Sequence, residues 1–173
     1  MPTVKVVATP SKGDGMPESV QETVRTHLDH GGACLDKGKH DEAIADYDKA
    51  IALDPNFALA YSNRGLAYAK KGDVDRAIAD YDKAIALDPN FVLAYSNRGL
   101  AYGRKGAFDR AIADYDKAIA LDPNFADTYT NRGVAYYEKG DKEQAIADFR
   151  KALEINPSYE NAKEGLKRLD VTP

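Results

Sequence analysis

Fifteen residues, AIADYDKAIALDPNF, occur three times without change, at 43–57, 77–91 and 111–125. A looser fourth copy occupies 145–159. Gly31, Gly65, Gly99 and Gly133 keep the same 34-residue spacing, as do Pro55, Pro89, Pro123 and Pro157. Two whole units, 58–91 and 92–125, differ at only five positions. A period of this length marks an array in which each unit is one supersecondary element that buries its apolar face only against its neighbours. The same feature bears on function. A reaction centre needs unlike groups converging on one point, whereas a copied phrase lays down one surface again and again.

Within a unit the pattern reads as two helices. In 58–91, Leu59, Tyr61, Leu66 and Tyr68 recur near helical spacing. Gly72 follows, where glycine ends a helix, and Asp73 restarts the chain. Ala77, Ile78, Tyr81, Ala84, Ile85 and Leu87 give a second apolar face, closed by Asp88-Pro89. Asp54-Pro55 reads as the start of the first helix, with aspartate capping and proline at the first helical position. Gly65 inside a helix costs roughly 1 kcal/mol against alanine. Its periodic return makes sense if a neighbouring helix passes close by. Ala77 and Ala84 share a face and leave room for Tyr61 and Tyr68.

These residues resemble the tetratricopeptide repeat family. The resemblance rests on Tyr61, Gly65, Tyr68, Ala77, Tyr81, Ala84 and Pro89. It returns at Tyr95, Gly99, Tyr102, Ala111, Tyr115, Ala118 and Pro123, and again at Tyr129, Gly133, Tyr136, Ala145, Phe149, Ala152 and Pro157. The family's usual leucine is replaced by Arg64, Arg98 and Arg132, a departure expected to touch packing rather than fold. The resemblance implies an all-α, right-handed superhelical solenoid of stacked antiparallel helical hairpins. Its repeats would span 24–57, 58–91, 92–125 and 126–159, with a capping helix at about 160–170. Residues 18–173 would form this domain, after a tail at 1–17 expected to be disordered.

Composition narrows the partners. The chain of 173 residues carries a net charge of −4, with lysine and arginine scattered among acids. Nucleic acid is therefore not expected, because phosphate binding needs a concentrated basic face. No run approaches the roughly 20 apolar residues of a membrane span, so membrane insertion is not expected either. The N-terminus is too broken by proline and glycine for a secretory signal, and a cytoplasmic location is the expectation. A leader already removed would leave the same residues. The single cysteine, Cys34, excludes an internal disulfide.

The resemblance also implies a groove. In that family the first helices of successive units line a concave surface, and Asn63, Asn97 and Asn131 match a position that binds extended peptides. A side-chain amide offers both donor and acceptor, which suits a peptide backbone. Packed helices lie about 8–10 Å apart, and an extended chain advances about 3.3 Å per residue. One asparagine per unit would thus meet roughly every third residue of a bound peptide. The alternative is an asparagine bonding its own scaffold. Neighbouring positions are Leu59, Ser62 and Leu66, then Leu93, Ser96 and Leu100, then Asp127, Thr130, Val134 and Tyr137. Lys70 and Arg104 add a basic edge. Such a groove suits an uncharged or weakly acidic protein or peptide segment, although some leucines would serve packing between hairpins instead. Family members that clamp a chaperone's C-terminal carboxylate need cations where this chain has Leu28 and Leu93, so that clamp is not expected.

Two other patterns invite chemistry. His27, His30 and Cys34 share one helical face, as metal ligands or a Cys–His pair would. No fourth ligand is evident, and loosely filled positions at the end of the array explain them as well. The recurring acids Asp46, Asp48, Asp80, Asp82, Asp114 and Asp116 read as a solvated face, ion-paired with Lys49, Lys83 and Lys117 and with Arg64, Arg98 and Arg132. No catalytic residue, metal or cofactor is expected. The function expected is a scaffold that binds a partner segment. End-to-end self-assembly into a homo-oligomer is the alternative, since near-identical units can stack across molecules.

Overall fold

A computed structural model describes residues 16–172 of the chain. Nearly all of the tail expected to be disordered lies outside the described residues. Among those described are nine α-helices and no strand: α1 (Glu18–Asp36), α2 (His40–Leu53), α3 (Ala58–Lys71), α4 (Val74–Leu87), α5 (Val92–Arg104), α6 (Phe108–Leu121), α7 (Ala126–Lys139), α8 (Lys142–Ile155) and α9 (Glu160–Arg168). They pair as hairpins α1–α2, α3–α4, α5–α6 and α7–α8, with α9 against α8 and α7. The architecture is the all-α helical-repeat solenoid that the period implies.

The turn inside each hairpin follows from one glycine. Gly72 closes α3 at φ 94°, and its N–H donates to the Ala69 carbonyl. This left-handed conformation carries a steric penalty for any residue with a Cβ. Asp73 then accepts from the Arg76 N–H at 3.1 Å and caps α4. The turn between hairpins differs from expectation. Asp54-Pro55 does not begin a helix, because α3 starts at Ala58 and Phe57 precedes it with no side-chain cap. The Asp54 carboxylate instead accepts from the Asn56 N–H at 3.0 Å, and Asp88 and Asp122 do the same for Asn90 and Asn124. The aspartate closes its own turn, and the helix begins only after that turn, with Phe57 at the capping position.

Packing within a hairpin is large against small. A Cβ built on Gly65 would sit 2.8 Å from Tyr81 Cε1, and on Gly99 2.7 Å from Tyr115 Cε1. Tyr47, Tyr81 and Tyr115 are all but fully buried in these contacts. The glycines are therefore where the second helix's ring meets the first helix's backbone. Tyr68 packs with Ala77 and Tyr81, as its spacing suggests.

Helices α1, α3, α5 and α7 touch in succession, while α2, α4, α6 and α8 make no contact with one another among the described residues. The first helices of the hairpins therefore approach one another along one side of the stack, its inner side.

Arginine and aspartate pair as expected and seal the joints, and Asp48, Asp82 and Asp116 are exposed; the expectation of a solvated face fails for the other half of the acids. Asp80, Asp114 and Asp148 are buried. Arg64 forks Asp80 through Nε (2.8 Å) and Nη2 (2.7 Å), and its Nη1 reaches Asp48 of the preceding hairpin at 2.6 Å. Arg98 links Asp114 to Asp82, and Arg132 links Asp148 to Asp116, in the same manner. Each guanidinium also lies over two tyrosines, at 5.5 and 6.0 Å from the ring centres for Arg64. Hydrogen bonding to the aspartates pushes all three guanidinium groups above even their usual high range. Of the lysines expected in ion pairs with these acids, among the described residues only Lys49 makes one, to Asp46 at 3.3 Å; Lys83 lies over Tyr61 instead.

Candidate functional site

The inner helices carry one repeated surface stripe. Leu59, Asn63, Leu66 and Lys70 fall four, three and four residues apart on α3, hence along one stripe. Ala60, Ser62, Gly65 and Ala67 are buried on the other faces. The stripe repeats as Leu93, Asn97, Leu100 and Arg104 on α5, and as Asp127, Asn131, Val134 and Glu138 on α7.

Asn63, Asn97 and Asn131 occupy equivalent, half-buried positions. Among the described residues none of the three side chains hydrogen-bonds to the scaffold. Their amides keep donor and acceptor available. Leu59 packs on the cluster of Val24, Ala50, Phe57 and Ala60, and Leu66 on that of Cys34, Leu35, Tyr47 and Ala67. These two leucines serve the joint between the first hairpins. Leu93 is half-buried. Leu100, Val134 and Tyr137 stand 41%, 47% and 37% exposed, among the few large apolar side chains that do. The apolar surface of the inner face thus shifts toward its C-terminal half.

Several expected groove residues are otherwise engaged. Ser62, Ser96 and Thr130 are buried rather than displayed on the open stripe, and the Thr128 hydroxyl donates to the Ser96 hydroxyl at 3.5 Å between α7 and α5. Asp127 accepts a hydrogen bond from the Tyr159 hydroxyl, so it is not a free acid. Burial, with help from that hydrogen bond, pushes Tyr159 up to about 12. Lys70 is exposed. Arg104 donates through Nη1 to the Ala69 carbonyl at 2.9 Å and ties α5 to the end of α3. Among the described residues the basic edge therefore has Lys70 without an ion pair and Arg104, which also closes a joint.

A cavity of about 230 Å³ opens where α7, α8 and α9 meet. Asn131 and Tyr137 line it together with Val134 and Thr130, whose hydroxyl is buried without a partner. Asn161, Glu164 and Arg168 of α9 form the opposite wall. Sequence reasoning treated α9 as a cap and missed these three. Carrying the 34-residue register forward places Asn161 where Leu93 and Asp127 stand and Glu164 where Ser96 and Thr130 stand, so the signal was present. α9 lies close because Gly165 faces the Phe149 ring, which a Cβ would meet at 2.6 Å.

The arrangement can offer backbone-like hydrogen bonds at one step per hairpin, beside apolar contacts. The described residues show no convergent nucleophile, base and oxyanion donors on this face. No described helix is long and apolar enough to cross a membrane.

Comparison with known proteins agrees with the fold. Residues 31–72, 65–106 and 104–140 match a family model described as TPR repeat, and 126–159 one described as tetratricopeptide repeat. No curated protein matches the chain. Among solved structures, the crystal structure of MamA is 35% identical, with 79% of this chain and 80% of that one covered and a TM-score of 0.72. The first TPR of Spaghetti (RPAP3), bound to the HSP90 peptide SRMEEVD, is 32% identical over 65% of this chain and 90% of its own, with a TM-score of 0.64. Pseudomonas aeruginosa pilF reaches a TM-score of 0.80 at 20% identity, over 88% of this chain and 72% of that one, which speaks to the fold alone.

Proposed function

The chain belongs to the tetratricopeptide repeat family, and from that premise we propose that its inner face binds an extended, uncharged or weakly acidic segment of a partner protein. The fold is that of a protein–protein interaction scaffold. The observation that carries the finer reading is the row of Asn63, Asn97 and Asn131, half-buried, in register and, among the described residues, without side-chain hydrogen bonds. Each would hold one peptide group of the segment. Leu100, Val134 and Tyr137 would take its apolar side chains, and Lys70 would favour a nearby acid. A chaperone-type C-terminal carboxylate is not the segment proposed, because the cations that would meet it are absent at Leu28 and Leu93.

Self-stacking is less well supported. The internal joint needs an aspartate such as Asp82 behind and an arginine such as Arg98 ahead. The last hairpin has Arg150 in place of the aspartate, and the first has His30 in place of the arginine. Two copies end to end would bring a guanidinium toward an imidazole without the carboxylate that seals a joint, and α9 already covers the last hairpin.

Selection of displayed, net-neutral peptides on the immobilised chain tests the proposal. Selected peptides should bind with little salt dependence. Alanine at Asn63, Asn97 and Asn131 should weaken them about 5-fold per site, one hydrogen bond being worth about 1 kcal/mol. Unchanged affinity in a triple variant of normal helicity would reject the asparagine row.

A further inference from the structure

Among the departures of the first hairpin from the other three, one set is chemically coherent. The buried aspartate is kept: Asp46 is 6% exposed, as are Asp80 and Asp114. Its partners are not. Where Arg64, Arg98 and Arg132 fork the later aspartates, the first hairpin has His30. Where the later hairpins have two tyrosines over the guanidinium, it has His27 and Cys34. Three bulky or cationic side chains are thus exchanged for three that ligate metals, all around a carboxylate that stays.

We propose that His30, Cys34, Asp46 and His27 bind one transition-metal ion of the zinc class, which does for the first hairpin what arginine does for the others. His30 Nδ1 lies 2.5 Å from Asp46 Oδ2, and His27 Nδ1 lies 3.3 Å from Oδ1 of the same carboxylate. Cys34 Sγ lies 3.8 Å from His30 Nδ1, and one ligand atom each from His30, Cys34 and Asp46 falls within 4.8 Å of the others. A tetrahedral zinc ion with bonds of about 2.0–2.3 Å holds its ligand atoms about 3.3–3.8 Å apart. The His27–Asp46 and His30–Cys34 separations already fall in that range. The His30–Asp46 pair is in direct contact and must open by about 1 Å, a side-chain movement.

Charge and access fit as well. A dication beside one thiolate and one carboxylate is neutral, as Arg64 with Asp80 is. Cys34 and Asp46 are buried, whereas the His30 side chain is 63% exposed and that of His27 is 25% exposed, which gives the ion an entrance. Two charged neighbours face the cluster. Lys49 Nζ donates to Asp46 at 3.3 Å but is 59% exposed and free to swing away. Glu42 Oε2 lies 3.8 Å from Cys34 Sγ, within reach as an alternative oxygen ligand. His27 and His40 both stand outside that three-residue group; His27 already reaches the Asp46 carboxylate and would close on the ion as its fourth ligand, whereas among the described residues no such contact links His40 to the site. Since three ligands lie on α1 and one on α2, the ion staples the hairpin, and available metal sets how firmly it is closed. This inference stands apart from the groove proposal, because none of its residues belongs to the asparagine row.

Titration of the full chain with Co(II) tests it. One equivalent should produce a thiolate-to-cobalt charge-transfer band in the near ultraviolet together with intense tetrahedral d–d bands, and Zn(II) should remove both. Cys34→Ser should abolish the charge-transfer band. His30→Arg installs the residue that serves the other hairpins, so it should keep the helical spectrum while lowering cobalt affinity about 100-fold or more. His40→Ala should change nothing. Weak octahedral bands alone, or full-affinity binding that survives His30→Arg in a folded chain, would overturn the site.

Discussion

The first hairpin and the three that follow hold the same buried aspartate by different means. At Asp80, Asp114 and Asp148 a guanidinium supplies two parallel hydrogen bonds and a permanent charge. At Asp46 two imidazoles and a lysine share the work. Burial opposes the Asp46 charge, yet hydrogen bonds from His30, Lys49 and His27 hold its carboxyl below the usual range. The lesson concerns neighbours. Arg64 spends its third donor on Asp48 of the hairpin before it. Among the described residues no hairpin precedes the first, so a residue that bridges joints has no second partner there. The position is released for other chemistry.

The comparison can be broken most directly at its charged pair. Arg98→Ala strands the buried Asp114 and cuts the link to Asp82. It should cost about 3 kcal/mol, at the low end for breaking a buried pair because Arg98 is partly exposed. His30→Ala leaves His27 and Lys49 on Asp46 and should cost less than half of that by urea denaturation. Equal losses would mean that the two devices are equivalent.

A second pair of variants sharpens it by holding the contact constant. A Cβ at either Gly31 or Gly99 would lie 2.7 Å from a tyrosine Cε1. Gly99→Ala should cost about 2 kcal/mol, overpacking outweighing better helix propensity. Gly31→Ala meets the same clash, so any difference in unfolding measured by hydrogen exchange reports only how firmly each hairpin is held.

Tyrosine ionisation gives a third contrast. Burial pushes Tyr47, Tyr81 and Tyr115 above the ordinary value of 10.0, while the fourth hairpin has Phe149. A raised value favours the protonated, folded form. The stabilisation is complete below pH 10 and is lost as pH rises through the raised value. Melting temperature should fall above pH 10, and Tyr81→Phe should flatten that fall by about 1.4 kcal/mol per pH unit. An unchanged alkaline limb would place the titrating groups elsewhere. The smallest effect is a gain: nothing lies within 4 Å of a Cβ at Gly103, where the hairpin before has Ala69. Gly103→Ala should add about 0.8 kcal/mol, seen as a higher melting temperature.

The period carried most of the fold. Gly72 as a helix end, Asp73 as a restart and Gly65 as a close approach follow from the chemistry of one residue and were legible. The arginine–aspartate joints were not, because Arg64 meets Asp48 and Asp80 through the stacking of separate helices, sixteen residues away in either direction. The shared period of arginine and aspartate was visible, but period alone does not distinguish a sealed joint from a solvated row. At the groove, the asparagine row could be read from register. The burial of Ser62, Ser96 and Thr130 could not, because it depends on how closely α3, α5 and α7 approach one another.

The joints between hairpins are interchangeable, and this gives the chain a way to change length. Asp48 with Arg64, Asp82 with Arg98 and Asp116 with Arg132 are three instances of one connector with a sender and a receiver. A duplicate of 58–91 inserted after Phe91 would find Asp82 waiting behind it and would present its own aspartate to Arg98. Neither neighbour would need a compensating substitution. A unit gained or lost at this boundary therefore leaves every remaining connector paired, and the near-identity of 58–91 and 92–125 means that the exchange would alter hardly any contact.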